Sequence, residues 1–205
     1  MGSEIARVQG ITKVTIAAGA MLLALNPTPS DAKKLKLFGG RPPAPAVRAP
    51  QPVHYRWSQG DAPKAYRDMV AELGRTGLKP GQYAWAAAIP KAGDTRIVLD
   101  LVTQMGYVYR GDQLVGATTI STAKSGKITP LGNWPILEKR RFYRSKKYDN
   151  APMPFMQRID EYGIALHGGM NPGFPASHGC VRLPLKFAEK LFTLTSVGSN
   201  VVIEG

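Results

Sequence analysis

The sequence predicts a mostly β fold, of the β-rich α+β class with one or two short helices, in residues 61–205. From Thr95 onwards, short runs of alternating and β-branched residues are separated by turn residues, a pattern typical of strands. Helical periodicity is limited to one segment before these runs and one near the end. Many short strands with few helices favour an α+β arrangement over alternating βα units.

The first helix is predicted over about residues 62–73. Asp61 is suited to the N-cap position, and Pro63 lies in the first turn, where proline is tolerated. Apolar side chains, including Met69 and Leu73, recur at helical spacing before Gly74. The stretch that follows, "LKPGQYAWAAAIPKAGD", is rich in turn residues and is predicted to be a connecting segment.

The strand-like runs begin with "TRIVLDLVTQ", "MGYVYR" and "QLVGATTIST". Gly111-Asp112 between the second and third is a tight-turn signal, so these runs predict a β-meander. Further strands are predicted in "ITPLGNWPILEKR", "YGIALHGG" and "SNVVIEG". The segment "LPLKFAEKLFTL" predicts the second helix, with Phe187, Leu191 and Leu194 on one side.

Residues 1–32 have the features of an export signal. An uncharged run, "VTIAAGAMLLAL", follows two basic residues. It is shorter than the roughly 20 residues of a membrane span and has the length of a signal-peptide core. We interpret residues 1–32 as a signal peptide or an uncleaved membrane anchor, the only membrane contact expected. The protein is therefore expected to be exported, to the periplasm or the cell wall.

Residues 33–60 hold six basic residues, no acidic residue and a proline cluster. This composition does not bury enough apolar surface to fold alone and indicates a basic linker. Residues 61–93 are interpreted as a helical accessory segment, and residues 94–205 as the main domain. This main domain is expected to be a monomer.

The formal net charge of +13 indicates an anionic partner. For an exported protein we expect the anionic polymers of the cell envelope and no nucleic acid. The densest cluster is "KRRFYRSKK", residues 139–147, named the basic stretch below. A merely solvated basic face is the alternative interpretation.

Cys180 is the only cysteine of the chain, and it follows His178 by two residues in "ASHGCVRLP". A lone cysteine in an exported protein is a buried structural thiol, an intermolecular disulfide partner or a nucleophile. His167 and His178 both lie within thirteen residues before it. An imidazole within hydrogen-bond reach takes the thiol proton, and the resulting ion pair lowers the thiol pKa, which favours the nucleophile.

The residues around Cys180 extend this hypothesis. In an extended stretch, His178, Cys180 and Arg182 share one face because side chains repeat every two residues. The N–H groups of Gly179 and Cys180 are then candidate donors to an oxyanion, and Arg182 is a candidate partner for a substrate carboxylate. His167, His178 and Cys180 are residue types that bind zinc, but their spacings match no zinc signature, so no metal and no cofactor are expected.

The stretches "HGGMNPGFPASHGCVRLP" and "IVLDLVTQMGYVYRGDQLVGATTISTAKSGKITPLGNWPI" resemble the L,D-transpeptidases of the YkuD type. The family pattern is a His-Gly, a gap of about a dozen residues, Ser/Thr-His-Gly-Cys and an arginine two residues on. It is met at His167-Gly168, at residues 177–180 and at Arg182, and Thr129-Pro130-x-Gly132 is similar to a Thr-Pro-x-Gly turn of the family. The resemblance covers about residues 94–204.

This resemblance implies a β-sandwich or open barrel and a peptidoglycan L,D-transpeptidase. The Cys180 thiolate would attack the bond between the third residue and the terminal D-alanine of a stem tetrapeptide. The thioester would pass to an amine of a second stem, giving a 3→3 cross-link. Carbapenems would acylate the same cysteine.

The resemblance also implies residue roles. The spacing alone nominates His178 as the base, whereas the family pattern assigns proton transfer to His167, with the carbonyl of Gly168 fixing its tautomer. His178 would then lie on the oxyanion side, oriented by Ser177. With Gly179, Arg182 and Gly168, Ser177 forms the expected substrate-binding set.

Two other functions stay open at this point. Water as the acceptor would make the protein an L,D-carboxypeptidase, and a non-catalytic wall-binding module would need no nucleophile. Residues 141–158 precede the site and are interpreted as either a flap over the cleft or a structural strand and loop.

Overall fold

A computed structural model describes residues 60–205. The predicted signal or anchor and nearly all of the predicted linker lie outside this range. Two helices and ten strands occur within it. They are α1 (Asp61–Leu73), β1 (Tyr83–Trp85), β2 (Thr95–Asp100), β3 (Met105–Arg110), β4 (Gln113–Thr119), β5 (Gly132–Pro135), β6 (Glu138–Arg140), β7 (Met156–Arg158), β8 (Ala165–Gly168), β9 (Val181–Leu183), α2 (Leu185–Leu194) and β10 (Asn200–Glu204). The predicted mostly β, α+β class is confirmed.

The strands form two sheets. The first has the order β1-β4-β3-β2-β10-β5, and the second has the order β6-β7-β8-β9. Strands β2, β3 and β4 form the predicted antiparallel meander. Strand β10, from the end of the chain, pairs in parallel with β2 and antiparallel with β5.

The main core lies between the two sheets. It includes Ile97 and Leu99 of the first sheet, Leu166 and Val181 of the second, and Phe187 of α2. Neighbouring residues of the first sheet face the opposite way, because side chains alternate along a strand. This sheet is therefore buried on both faces, and its strands are continuously apolar rather than strictly alternating.

Helix α1 covers the outer face of the first sheet. Ala62, Ala65 and Met69 are fully or nearly fully buried against a cluster that includes Val98 and Val202. Residues 61–93 therefore pack as part of the same fold as the strands that follow. Gly74 ends the helix in the left-handed conformation, with φ of 61°.

Two strands, β1 and β9, were not predicted from the sequence, and β7 was only one of the two interpretations of residues 141–158. Strand β1 lies in the supposed connecting segment and pairs with β4, where Trp85 covers Gly116. A Cβ on Gly116 would meet the Trp85 ring at 2.5 Å, so this contact needs glycine. Strands β7 and β9 have three residues each, too short for a period of two to be recognised.

The first turn of α1 is capped from the far end of the chain. The N-cap residue is Gly60 rather than the predicted Asp61, and no N-cap side chain hydrogen-bonds to the N–H groups of the first turn. Instead, the Glu204 carboxylate accepts hydrogen bonds from the N–H groups of Asp61 (2.9 Å) and Ala62 (2.7 Å). A negative charge at this position is also favoured by the helix dipole.

We expect Glu204→Ala to lower the free energy of unfolding by about 1 kcal/mol, the usual cost of losing a helix cap. Urea denaturation followed by circular dichroism measures this change. Glu72→Ala removes an exposed carboxylate of the same helix and is the matched control. Equal stability of the two variants would contradict the capping role.

Neither helix in residues 60–205 is long and apolar enough to cross a membrane.

Candidate active site

The candidate site lies where two parallel strands of the second sheet run side by side. Strand β8 carries His167, and β9 begins one residue after Cys180. His167 is opposite Arg182 in the register, which puts Cys180 two residues away along the neighbouring chain. The two residues therefore lie at neighbouring positions of this sheet, and both line one cleft.

A cleft of about 1160 Å³ opens over this junction. Six of the seven predicted site residues line it, namely Cys180, His167, His178, Ser177, Gly168 and Arg182. The seventh, Gly179, is buried and is not among the residues that line the cleft. The structure therefore brings the predicted site residues together around one cleft. Their contacts, and hence their possible roles, differ from residue to residue.

His167 is nearly fully buried, with 7% of its surface exposed. Its Nδ1 lies 2.9 Å from the carbonyl oxygen of Gly168. Because a carbonyl only accepts, Nδ1 carries the proton and Nε2 has a free lone pair. Burial lowers the pKa of His167, against the hydrogen bond to Gly168. The ring is therefore neutral at neutral pH and available as a proton acceptor.

Gly168 holds this arrangement in place. Its N–H donates to the carbonyl of Pro154 at 2.8 Å. A Cβ at this position would lie 2.9 Å from the end of the Leu185 side chain of α2, so β8 packs closely on the helix here. Both polar groups of Gly168 are engaged within the protein, which makes it a support for His167.

The Cys180 thiol is half-buried at the base of the cleft. Its Sγ lies 3.7 Å from the carbonyl oxygen of Gly163. Burial raises the pKa of the thiol, against a hydrogen bond from the main chain of Ala165 and the charge of Arg182. The resting thiol is therefore protonated at neutral pH. The direction of this shift favours a neutral thiol beside a neutral imidazole over a preformed thiolate–imidazolium pair.

The turn that precedes Cys180 is not extended, which corrects the prediction that His178, Cys180 and Arg182 share a strand face. Residues 178–180 form a bend, and Gly179 has φ of 140°. A Cβ there would lie 2.6 Å from Ile164, so both the backbone conformation and the space need glycine.

Ser177 stabilises this turn through two hydrogen bonds. Its Oγ donates to the carbonyl of Cys180 and accepts from the N–H of Gly179 at 3.0 Å. The hydroxyl is thus bonded to the main chain, and the expectation that it orients the ring of His178 is wrong. The N–H of Gly179 is likewise engaged and is not a free oxyanion donor.

His178 lies at the exposed side of the cleft. Its ring stacks on Tyr148, with centroids 4.6 Å apart and planes at 23°. Loss of solvation and the charges of Lys124, Lys127 and Arg182 lower its pKa. Tyr148 was not singled out from the sequence, because only the fold brings it to His178.

The stretch 141–158 contains both a part of the cleft lining and a strand. Residues 143–154 supply much of the cleft wall, and residues 156–158 are strand β7. Ser145 accepts from the N–H groups of Lys147 and Tyr148, which shapes the tip that carries Tyr148. This tip contacts His178 through the stacked Tyr148 ring.

The basic stretch is not one uniform patch. Lys139 is half-buried, and its Nζ donates to main-chain carbonyls at the end of α2; burial lowers its pKa. Arg140 pairs with Glu138. In contrast, Lys146 and Lys147 are exposed and line the cleft.

No cluster of three or more histidine, cysteine or acidic residues suited to a metal ion occurs within residues 60–205.

The family model of the L,D-transpeptidase catalytic domain, YkuD, matches residues 94–203 of the 205-residue chain. The chain belongs to the YkuD family. The resemblance inferred from the sequence motifs is therefore confirmed. No curated protein matches the chain in sequence.

Solved structures of L,D-transpeptidases share the fold. The enzyme from Mycobacterium smegmatis has a TM-score of 0.51 at 18% identity, covering 55% of this chain and 59% of that one. The enzyme from Stackebrandtia nassauensis has a TM-score of 0.52 at 24% identity, covering 69% and 67%. L,D-transpeptidase 3 from Mycobacterium tuberculosis, in complex with a faropenem-derived adduct, has a TM-score of 0.50 at 18% identity, covering 55% and 60%. The alignments span less than two thirds of the mycobacterial chains.

Proposed function

We propose that this YkuD-family protein is a peptidoglycan L,D-transpeptidase with Cys180 as its nucleophile. The observation that supports it best is the neutral His167 ring, whose Nδ1 bonds to Gly168 and whose Nε2 is free beside the cleft of Cys180. This pairing of a thiol with an oriented imidazole is the arrangement that nucleophilic acyl transfer needs.

The chemistry follows from the protonation states. The Cys180 sulfur attacks the carbonyl carbon before the terminal D-alanine, and His167 Nε2 takes the thiol proton as the S–C bond forms. The tetrahedral intermediate collapses when that proton passes to the amide nitrogen, and D-alanine leaves with a free amine. An amine of a second stem then attacks the thioester carbonyl, and its proton returns through His167 to the departing sulfur.

The cleft also suits the substrate. Arg182 lies one strand position beyond Val181, beside the reacting sulfur, and lines the cleft. Its guanidinium is placed to bind a carboxylate of the stem, and planar forks match carboxylates in two-point contacts. The cleft lining also includes the apolar side chains of Met153, Pro154 and Leu185, which would accommodate the aliphatic part of the peptide.

Purified disaccharide-tetrapeptide stems test this proposal. Transpeptidation gives a 3→3 linked dimer and free D-alanine, both resolved by liquid chromatography and mass spectrometry. Tripeptide stems without dimer would instead assign the carboxypeptidase activity. Unchanged stems, together with binding to purified sacculi, would assign the non-catalytic wall-binding module.

We propose further that the protein acts outside the cytoplasm, in the periplasm or cell wall, near the anionic polymers of the envelope. The support is the uncharged run within residues 1–32 and the net charge of +13. Lys146 and Lys147 are exposed at the cleft rim and would attract acidic material to the site.

Charge reversal of both Lys146 and Lys147 should weaken sacculus binding, most clearly at low salt, since exposed charges are screened over about 10 Å at 0.1 M.

The acylation rate is expected to rise with pH and to level off with a midpoint below pH 6.5. The lowered pKa of His167 sets this midpoint, because only the neutral ring accepts a proton. As the pH falls through that pKa, the ring becomes protonated and the rate is lost. Stopped-flow acylation by faropenem between about pH 4 and 8 covers the titration of histidine.

Replacing His178 with alanine serves as the control for this profile, since the midpoint should not move if His167 is the titrating base. A rate that still rises at pH 8 without levelling off would show instead that it follows thiolate formation, because an ordinary thiol titrates near roughly 8.5 and burial raises the pKa of Cys180. That result would contradict proton transfer to His167.

A further inference from the structure

The hydroxyl of Thr129 is hydrogen-bonded to the turn that carries the nucleophile. Thr129 is buried, with 5% of its surface exposed, and it lies about fifty positions before Cys180 in the sequence. Its Oγ1 donates to the carbonyl of Gly179 at 2.8 Å and accepts from the N–H of Ala123 at 3.0 Å. Because the second bond uses a lone pair, the hydroxyl proton is directed at Gly179.

The carbonyl of Gly179 and the N–H of Cys180 belong to one planar peptide group. The two bonds of a trans peptide point in opposite directions, so fixing the carbonyl also fixes the direction of the N–H. Thr129 therefore determines the direction of the Cys180 N–H without touching it. Glycine is the residue least able to hold this peptide by itself, because its backbone has the widest conformational freedom.

The Cys180 N–H is also the donor that remains available. The N–H of Gly179 is bonded to Ser177, whereas the N–H of Cys180 has no hydrogen-bond partner among residues 60–205. The main-chain N–H of a nucleophile is a common oxyanion donor in acyl transfer, because it lies next to the bond that forms.

We propose that Thr129 is a positioning residue, which holds the Gly179–Cys180 peptide so that the Cys180 N–H donates to the oxyanion of the acyl intermediate. This inference rests on the proposed function and assigns a role to the Thr-Pro-x-Gly turn. It also replaces the pair of donors expected from the sequence with the single N–H of Cys180.

The test compares two reactions of the same sulfur. Acylation by faropenem passes through a tetrahedral oxyanion, whereas alkylation by iodoacetamide displaces iodide and forms no oxyanion. Thr129→Val keeps the side-chain shape and removes the hydroxyl, and Thr129→Ser keeps the hydroxyl. We expect Thr129→Val to slow acylation ~10- to 100-fold, which is no more than the usual rate loss on removing an oxyanion donor. The rate of alkylation by iodoacetamide should be unchanged. Thr129→Ser should acylate at nearly the wild-type rate.

The unfolding temperature of each variant is measured alongside these rates to show that the variant is folded. If the valine variant does not fold, Thr129→Ala is a second variant without the hydroxyl. Acylation of the folded hydroxyl-free variant at the wild-type rate would overturn the proposal. So would a parallel loss of acylation and alkylation, since that indicates general damage to the site. Failure of the wild-type protein to form any adduct would instead count against the proposed function.

Discussion

Replacing Cys180 with alanine is expected to abolish covalent adduct formation with faropenem. The sulfur is the only thiol of the chain, and it lies in the cleft beside His167. Removing the nucleophile of a comparable catalytic unit lowers the rate by roughly 10⁶-fold, so no adduct should form on the timescale of the wild-type reaction. Intact-protein mass spectrometry measures the adduct directly.

The interpretation of this result needs a folded variant. Cys180 is only half-buried, so the alanine variant should keep nearly the same unfolding temperature. In the wild type, a thiol reagent such as iodoacetamide should block the adduct by occupying the same sulfur. An adduct that persists in the alanine variant would assign acylation to another residue and would remove the basis of the proposed mechanism.

Replacing His167 with alanine or glutamine is expected to slow acylation by roughly 10²- to 10⁴-fold, the usual contribution of a positioned general base. The effect should be large because the pKa of the Cys180 thiol is raised. A thiol that is protonated at rest depends on the base for every attack. The measurement is the second-order rate constant of faropenem acylation at pH above the titration of the base.

The matched control is His178→Ala. His178 is exposed and stacks on Tyr148, so its loss should alter the cleft wall without removing the proton acceptor. We expect a decrease of less than about tenfold, well below the effect of a lost general base. Equal losses for the two histidine variants would contradict the assignment of the base to His167.

Much of the fold could be predicted from local patterns. The meander of β2, β3 and β4 and the helices α1 and α2 carry strong periodicity or a clear turn at Gly111-Asp112. Strand β1 was not predicted, because its three residues form a strand only by pairing with β4. The parallel placement of β10 beside β2 joins distant parts of the chain, and no local signal encodes such a pairing.

For the functional site, too, the sequence determined some features and the tertiary structure determined others. The sequence by itself determined the nucleophile candidate, the two histidines and the family, since these depend on residue types and their order. The tertiary structure decided the protonation states, because burial of Cys180 and His167 moves their pKa values and burial is set by the packed sheets. It also decided the partners of Ser177 and the contact of Thr129 with Gly179, because hydrogen bonds depend on distances and directions that residue order does not specify.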